Sequence, residues 1–154
     1  VKYPVRKSTD AIVIHCTATP EGKPFNAKDI DKMHRQRGFN GIGYHFVVLL
    51  DGTVEAGRPH DTVGAHVAGH NSTTIGVSYV GGVDATGKAK DTRTDAQKAA
   101  LVQLLKRLKA NYPKAAIKGH RDYSEDKNKN GRIDPFERIK ECPCFDAIPE
   151  YASV

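Results

Sequence analysis

Ala11-Ile12-Val13-Ile14-His15-Cys16, running into Thr17-Ala18-Thr19-Pro20, is the stretch on which the fold of this chain turns. An uninterrupted apolar run closed by small, polar and proline residues reads as a strand buried on both faces. Such a strand would deliver His15 to its exit. A second short strand, Ala115-Ala116-Ile117-Lys118, ends in the same way, at Gly119-His120-Arg121-Asp122. A third reactive residue, Cys142, lies in Lys140-Glu141-Cys142-Pro143-Cys144-Phe145-Asp146. Two imidazoles and a thiolate suit Zn²⁺, and three protein ligands leave the fourth position for the water that a hydrolytic site needs. Spacing alone does not prove this, because a histidine at a strand end is more often a hydrogen-bonded structural residue.

Between these segments the pattern alternates between helix and strand. Asn26-Ala27-Lys28-Asp29 can cap a helix whose face is marked by Ile30, Met33, His34 and Arg37 and which Gly38 stops. Tyr44 to Leu50 reads as another strand buried on both faces, with Asp51-Gly52 turning it into Thr53-Val54-Glu55. Thr74 to Val80 gives a further strand, ended by Gly81-Gly82. Thr94-Asp95 caps the longest helix, with Ala100, Leu101, Leu104, Leu105 and Leu108 as its apolar stripe. Strands interspersed with helices predict an α/β fold, a mixed sheet with helices packed on its faces. Holding His15 and His120 at strand ends would fix both rings rigidly, as a metal requires.

Composition bounds the remaining choices. At 154 residues the chain predicts one domain over 1–154, large enough for a core without disulfide support. No apolar run approaches the roughly 18–20 residues that span a bilayer. The start, Val1-Lys2-Tyr3-Pro4-Val5-Arg6-Lys7, lacks the apolar centre of a signal peptide, although a leader could have been removed before it. Three cysteines do not suggest a disulfide framework. The net charge of +6 suits a polyanionic partner, either nucleic acid or an anionic cell wall. The basic residues are scattered and lack the aromatic interleaving of single-strand binders, which argues against nucleic acid.

Ile14-His15-Cys16-Thr17-Ala18-Thr19, Gly43-Tyr44-His45-Phe46, Asp51-Gly52-Thr53-Val54-Glu55-Ala56-Gly57-Arg58, Val63-Gly64-Ala65-His66, Ile75-Gly76-Val77 and Gly81-Gly82 occur in that order, followed by the two segments around His120 and Cys142. Together they closely resemble the type 2 N-acetylmuramoyl-L-alanine amidases, a family that includes amidase-type phage lysozymes and peptidoglycan recognition proteins. The resemblance runs from about Ser8 to Asp146. It implies a mixed sheet flanked by helices, zinc in a surface groove, and hydrolysis of the amide between N-acetylmuramic acid and L-alanine of peptidoglycan. The partner would be peptidoglycan, the protein would act on the cell wall, and a monomer is expected. A non-catalytic receptor on the same fold is the alternative, but such relatives lack the cysteine ligand.

Amide hydrolysis needs an activated water and a donor for the oxyanion that develops. Zinc lowers the pKa of its bound water toward about 7. The resemblance implies that Tyr44 and Lys140 orient water and substrate and stabilise the transition state. His45 points to the opposite side from Tyr44 and is expected to be structural. Cys16 is read as a buried small hydrophobe, and Cys142 is preferred to Cys144 as the ligand. Gly64-Ala65-His66-Val67-Ala68-Gly69-His70-Asn71 is a glycine-rich loop, and the resemblance implies that His66 and Asn71 contact substrate. His70 and Thr74 depart from a common tyrosine and serine. Arg58 could grip a peptide carboxylate bidentately or pair with an internal acid.

The segment between His120 and Cys142 also spells a calcium-loop pattern. Oxygen side chains fall at positions 1, 3, 5, 9 and 12, as Asp126, Asn128, Asn130, Asp134 and Glu137. Gly131 is at 6, Ile133 is at 8, and Arg132 holds position 7, which in such loops ligates through the main chain. Any Ca²⁺ site here would be weak, because three carboxylates share it with Lys127, Lys129 and Arg132. The bland alternative is a solvated Asn-Gly turn ahead of a short helix.

Overall fold

The computed structural model describes residues 3–138 and 140–154. Strand β1 (Ala11–Cys16) is buried along its whole length, as its apolar run predicts. A short β2 (Thr19–Pro20) follows, then α1 (Ala27–Gln36). Asn26 caps α1 in a reciprocal box: its side chain accepts from the Asp29 amide, and the Asp29 carboxylate accepts from the Asn26 amide. The expected strand from Tyr44 to Leu50 is shorter, β3 (Phe46–Val48), and turns into β4 (Val54–Ala56). Its first residues leave the ladder because Tyr44 and His45 exchange main-chain bonds with Gly57, Arg58 and Gly76 instead.

The chain continues through β5 (Thr74–Tyr79), β6 (Gly82–Val83), α2 (Asp95–Asn111), β7 (Ala116–Gly119) and α3 (Ala147–Glu150). The main sheet has the order β4-β3-β5-β1-β7, parallel throughout except for the β3–β4 hairpin, and β2 pairs with β6 in a two-stranded ribbon. This is the mixed α/β architecture expected.

The two faces of the sheet carry separate cores. Ile12, Ile14 and Cys16 of β1 join Ile75, Val77 and Tyr79 of β5 beneath Leu101, Leu104, Leu105 and Leu108 of α2. Val47 and Val80 pack on the other side with Ile30 of α1. α2 is tied to the sheet by Gln97, fully buried, whose amide donates to the carbonyls of Val48 (3.2 Å) and Val80 (3.0 Å). Its oxygen accepts from the Thr94 amide, so every polar group that the burial strips of water has a partner. The C-terminal segment is held by Arg93, whose guanidinium lies over the Phe145 ring and pairs with Asp91 (2.8 Å) and Glu150 (2.8 Å). No helix among the described residues is long and apolar enough to cross a membrane.

Candidate functional site

Parallel pairing of β1 with β7 puts Ile14 opposite Gly119. The next residue on each chain is a histidine, so His15 and His120 leave the sheet side by side, ring centroids 4.6 Å apart. The third group arrives from the C-terminal segment. Its approach is close because Gly119 lacks a Cβ, which would meet the Pro143 ring at 2.8 Å. The Cys16 amide donates to Cys142 Sγ (3.1 Å), and the Arg121 amide donates to the Cys142 carbonyl (2.8 Å). Strand end and cysteine segment are thereby stitched together.

One ligand atom each from His15, His120 and Cys142 lies within 4.8 Å of the others. Cys142 Sγ is 3.8 Å from Nδ1 of His15. A tetrahedral zinc with Zn–N of about 2.0 Å and Zn–S of about 2.3 Å requires ligand separations of about 3.6 Å. The donor set and its spacing therefore fit the metal. Cys144 is aimed elsewhere: its Sγ donates to the Gly82 carbonyl (3.3 Å) and lies 4.0 Å from Cys16 Sγ.

Charge state favours a cation here. Burial first, then the neighbouring histidines and Lys140, pushes His15 well below its ordinary range. His120 is lowered to about 4 by burial and by the Lys140 charge. Both imidazoles are neutral at pH 7, as metal ligands must be.

The three residues lie in a groove of about 730 Å³ that also takes in Tyr44, Lys140, His66 and Asn71. Tyr44 is half-buried with its ring 5.2 Å from that of His15, and burial raises its phenol so that it stays protonated. Lys140 is exposed at the rim. His66 and Asn71 line the groove and are also bonded within the protein. Asn71 Oδ1 accepts from the amides of His66 and Val67, both at 2.9 Å, and both ring nitrogens of His66 are engaged, with His15 and Thr74.

Arg58 is a correction. It is buried away from the groove, donating to the carbonyls of Ile42 (2.8 Å) and Val63 (3.0 Å), with its guanidinium stacked on Tyr3. Among the described residues no acid pairs with it, and its guanidinium meets main-chain oxygens instead. Sequence reasoning also missed one wall of the groove, formed by His34, Arg37 and Phe39. The available signal was a histidine on the otherwise apolar face of α1, followed at its C-terminal cap by an arginine.

The calcium-like loop folds around its acids. Asp126 accepts from the amides of Asn130 (3.3 Å) and Gly131 (2.9 Å), and Asp134 accepts from the side-chain amides of Asn128 and Asn130. Glu137 is only 2% exposed and accepts from the amides of Asn128 (3.1 Å) and Asp134 (2.8 Å).

With this geometry in view, the comparisons with known proteins are specific. The N-acetylmuramoyl-L-alanine amidase family profile matches residues 5–137. The endolysin of Enterobacteria phage K11 is 39% identical over 146 residues, covering 95% of this chain and 87% of the relative. The endolysin of Escherichia phage T7 is 38% identical with the same coverage. The N-acetylmuramoyl-L-alanine amidase LysC from Clostridium intestinale superposes with a TM-score of 0.70 at 28% identity, covering 98% of this chain and 91% of that one. The chain belongs to the N-acetylmuramoyl-L-alanine amidase family. Lys140 and Cys142 lie beyond the residues that the profile matches, so their place at the groove rests on the tertiary structure.

Two further buried histidines make stability depend on pH. Burial lowers His45 to about 4 and His66 to about 3. Each is neutral when folded but titrates near 6.5 when unfolded, so the unfolded chain binds more protons at mildly acid pH. The stabilisation is complete above about pH 6.5 and is lost as pH falls toward the folded values. The slope is about 1.4 kcal/mol per pH unit for each histidine. Urea unfolding of the chelated protein between pH 7 and 5 should show at least the one-histidine slope; a flat profile would mean that these rings are solvated.

Proposed function

We propose that this chain hydrolyses the amide bond between N-acetylmuramic acid and L-alanine in peptidoglycan, with zinc held by His15, His120 and Cys142, and that it acts on the cell wall. The observation that carries the reading is the meeting of those three ligand atoms within 4.8 Å on the wall of an open groove. Phage endolysins related over 95% of this chain support the substrate class. When bound, zinc supplies a Lewis acid and an activated water.

The remaining work falls to Tyr44 and Lys140. Tyr44 keeps its proton at neutral pH, and its hydroxyl makes a long bond, 3.4 Å, to the Cys16 carbonyl. It can therefore turn toward a carbonyl oxygen in the groove and donate to it as charge develops there. Lys140 brings a positive charge that both His120 and His15 feel. Arg37, stacked on Phe39 at the groove wall, is the better placed guanidinium for a stem-peptide carboxylate.

Chelation should abolish turnover of intact cell walls and Zn²⁺ should restore it. Cys142→Ser should lose both metal and activity while Cys144→Ser keeps them, and the reverse result would reassign the third ligand. Loss of one oxyanion donor costs about 10²–10³ in rate. Tyr44→Phe and Lys140→Ala should each slow turnover by about that factor while retaining zinc and the parental melting temperature; turnover at the parental rate would remove the assigned role. Product analysis by mass should show free L-alanine amino termini and intact muramic acid lactyl groups.

The loop from Asp126 to Glu137 is read as a weak Ca²⁺ site. The buried Glu137 carboxylate favours this: no basic side chain pairs with it among the described residues. Asn128 and Asn130 would have to turn their amide oxygens toward the ion, and Arg132 would offer its carbonyl. With affinity in the extracellular-module range of about 10⁻⁴–10⁻³ M, millimolar Ca²⁺ should raise the melting temperature where NaCl of equal ionic strength does not. Asp126→Ala with Glu137→Gln should remove that rise. An unshifted parent protein would leave the loop as a surface turn.

A further inference from the structure

The hydrogen bonds behind His15 favour one direction. Thr74 opens β5 and is buried, with Oγ1 2.8 Å from the His70 carbonyl. A carbonyl only accepts, so the single hydroxyl proton of Thr74 is committed to it. His66 Nε2 lies 3.2 Å from the same oxygen and must therefore donate to it. A neutral imidazole carries one N–H, which leaves His66 Nδ1 with a lone pair. His15 Nε2 lies 2.8 Å from that atom and must be the donor. The lone pair of His15 is then left on Nδ1, the nitrogen 3.8 Å from Cys142 Sγ.

The opposite direction is weaker at one identifiable place. If His66 donated from Nδ1, its Nε2 would need the proton of Thr74, and the His70 carbonyl would lose its 2.8 Å hydroxyl donor and keep only the Thr73 amide at 3.3 Å. His15 would then carry its proton on Nδ1, facing the cysteine, and could not ligate through it.

Local structure holds the chain of bonds in place. Asn71 Oδ1 binds the His66 and Val67 amides and so sets the loop that carries both His66 and the His70 carbonyl. Gly76 gives the His66 ring its berth on β5, since a Cβ there would stand 2.7 Å from the ring.

We propose that Thr74 and His66 are positioning residues that hold His15 as its Nε2–H tautomer, so that Nδ1 is presented to the metal without rearrangement. The proposal rests on the metal reading above only for its last step; the tautomer itself is a property of the metal-free protein. Outer-sphere partners of this kind typically govern about 10–100-fold in metal affinity.

The test is long-range ¹H–¹⁵N correlation of the ¹⁵N-labelled protein at pH 7, with and without Zn²⁺, joined to zinc affinity measured by competition with a chromogenic chelator. The metal-free parent should show the Nε2–H pattern at both His15 and His66. Thr74→Val should lose or mix that pattern and weaken zinc binding about 10–100-fold, and Thr74→Ser should restore both. His66→Phe, which keeps a ring in the berth, should weaken zinc binding to a similar degree and guards against a folding artefact in the valine variant. An Nδ1–H pattern at His15 in the parent, or a Thr74→Val protein with parental tautomers and affinity, overturns the proposal. Correct tautomers in a parent that takes up no zinc would sustain the relay and sink the metal reading instead.

Discussion

The parallel register of β1 on β7 is the constraint from which the rest of the site follows. Pairing Ile14 with Gly119 sets His15 beside His120. A slip of one residue would send either ring to the opposite face of the sheet. The register is held on the other side as well, where β1 pairs along its full length with β5 and buries Ile12 and Ile14 against α2. Hydrophobic burial on one face thus determines where two polar rings emerge on the other.

Those rings sit where charge is costly. Burial holds His15, His45, His66 and His120 below their ordinary protonation range, and each desolvated ring needs partners for its nitrogens. His45 donates to the Thr62 carbonyl and accepts from the Gly76 amide, which makes it structural, as its place beside Tyr44 predicts. His15 uses one nitrogen on His66 and keeps the other toward Cys142. A cluster of neutral imidazoles beside a thiol is a poor place for a proton and a good one for a soft divalent cation.

The cysteine is delivered by packing rather than by local sequence. Phe145 and Tyr151 enter the α2 core, and Arg93 clamps the same segment through Phe145, Glu150 and Asp91. With the segment held on both sides, Cys142 Sγ meets the Cys16 amide while Cys144 turns toward Gly82. Two cysteines one residue apart thereby acquire different surroundings.

Much of this was legible in the residues. The apolar run of β1, the capping boxes at Asn26 and Thr94 and the Asp51-Gly52 turn depend on neighbours within a few positions, so local chemistry is enough to read them. The ordered motifs around His15, His120 and Cys142 likewise pointed to a hydrolytic metal centre. Other features needed the tertiary structure. Arg58 looked available for substrate until its guanidinium was found binding main-chain oxygens, and His34 looked like helix core until it lined the groove. His66 was read as a contact for substrate, yet its ring nitrogens face His15 and Thr74. Residue type and position along the chain determined which chemistry this protein carries. Which partner each long polar side chain meets was decided only by strand register and helix packing, because those contacts join residues far apart in sequence and depend on distances that no local pattern encodes.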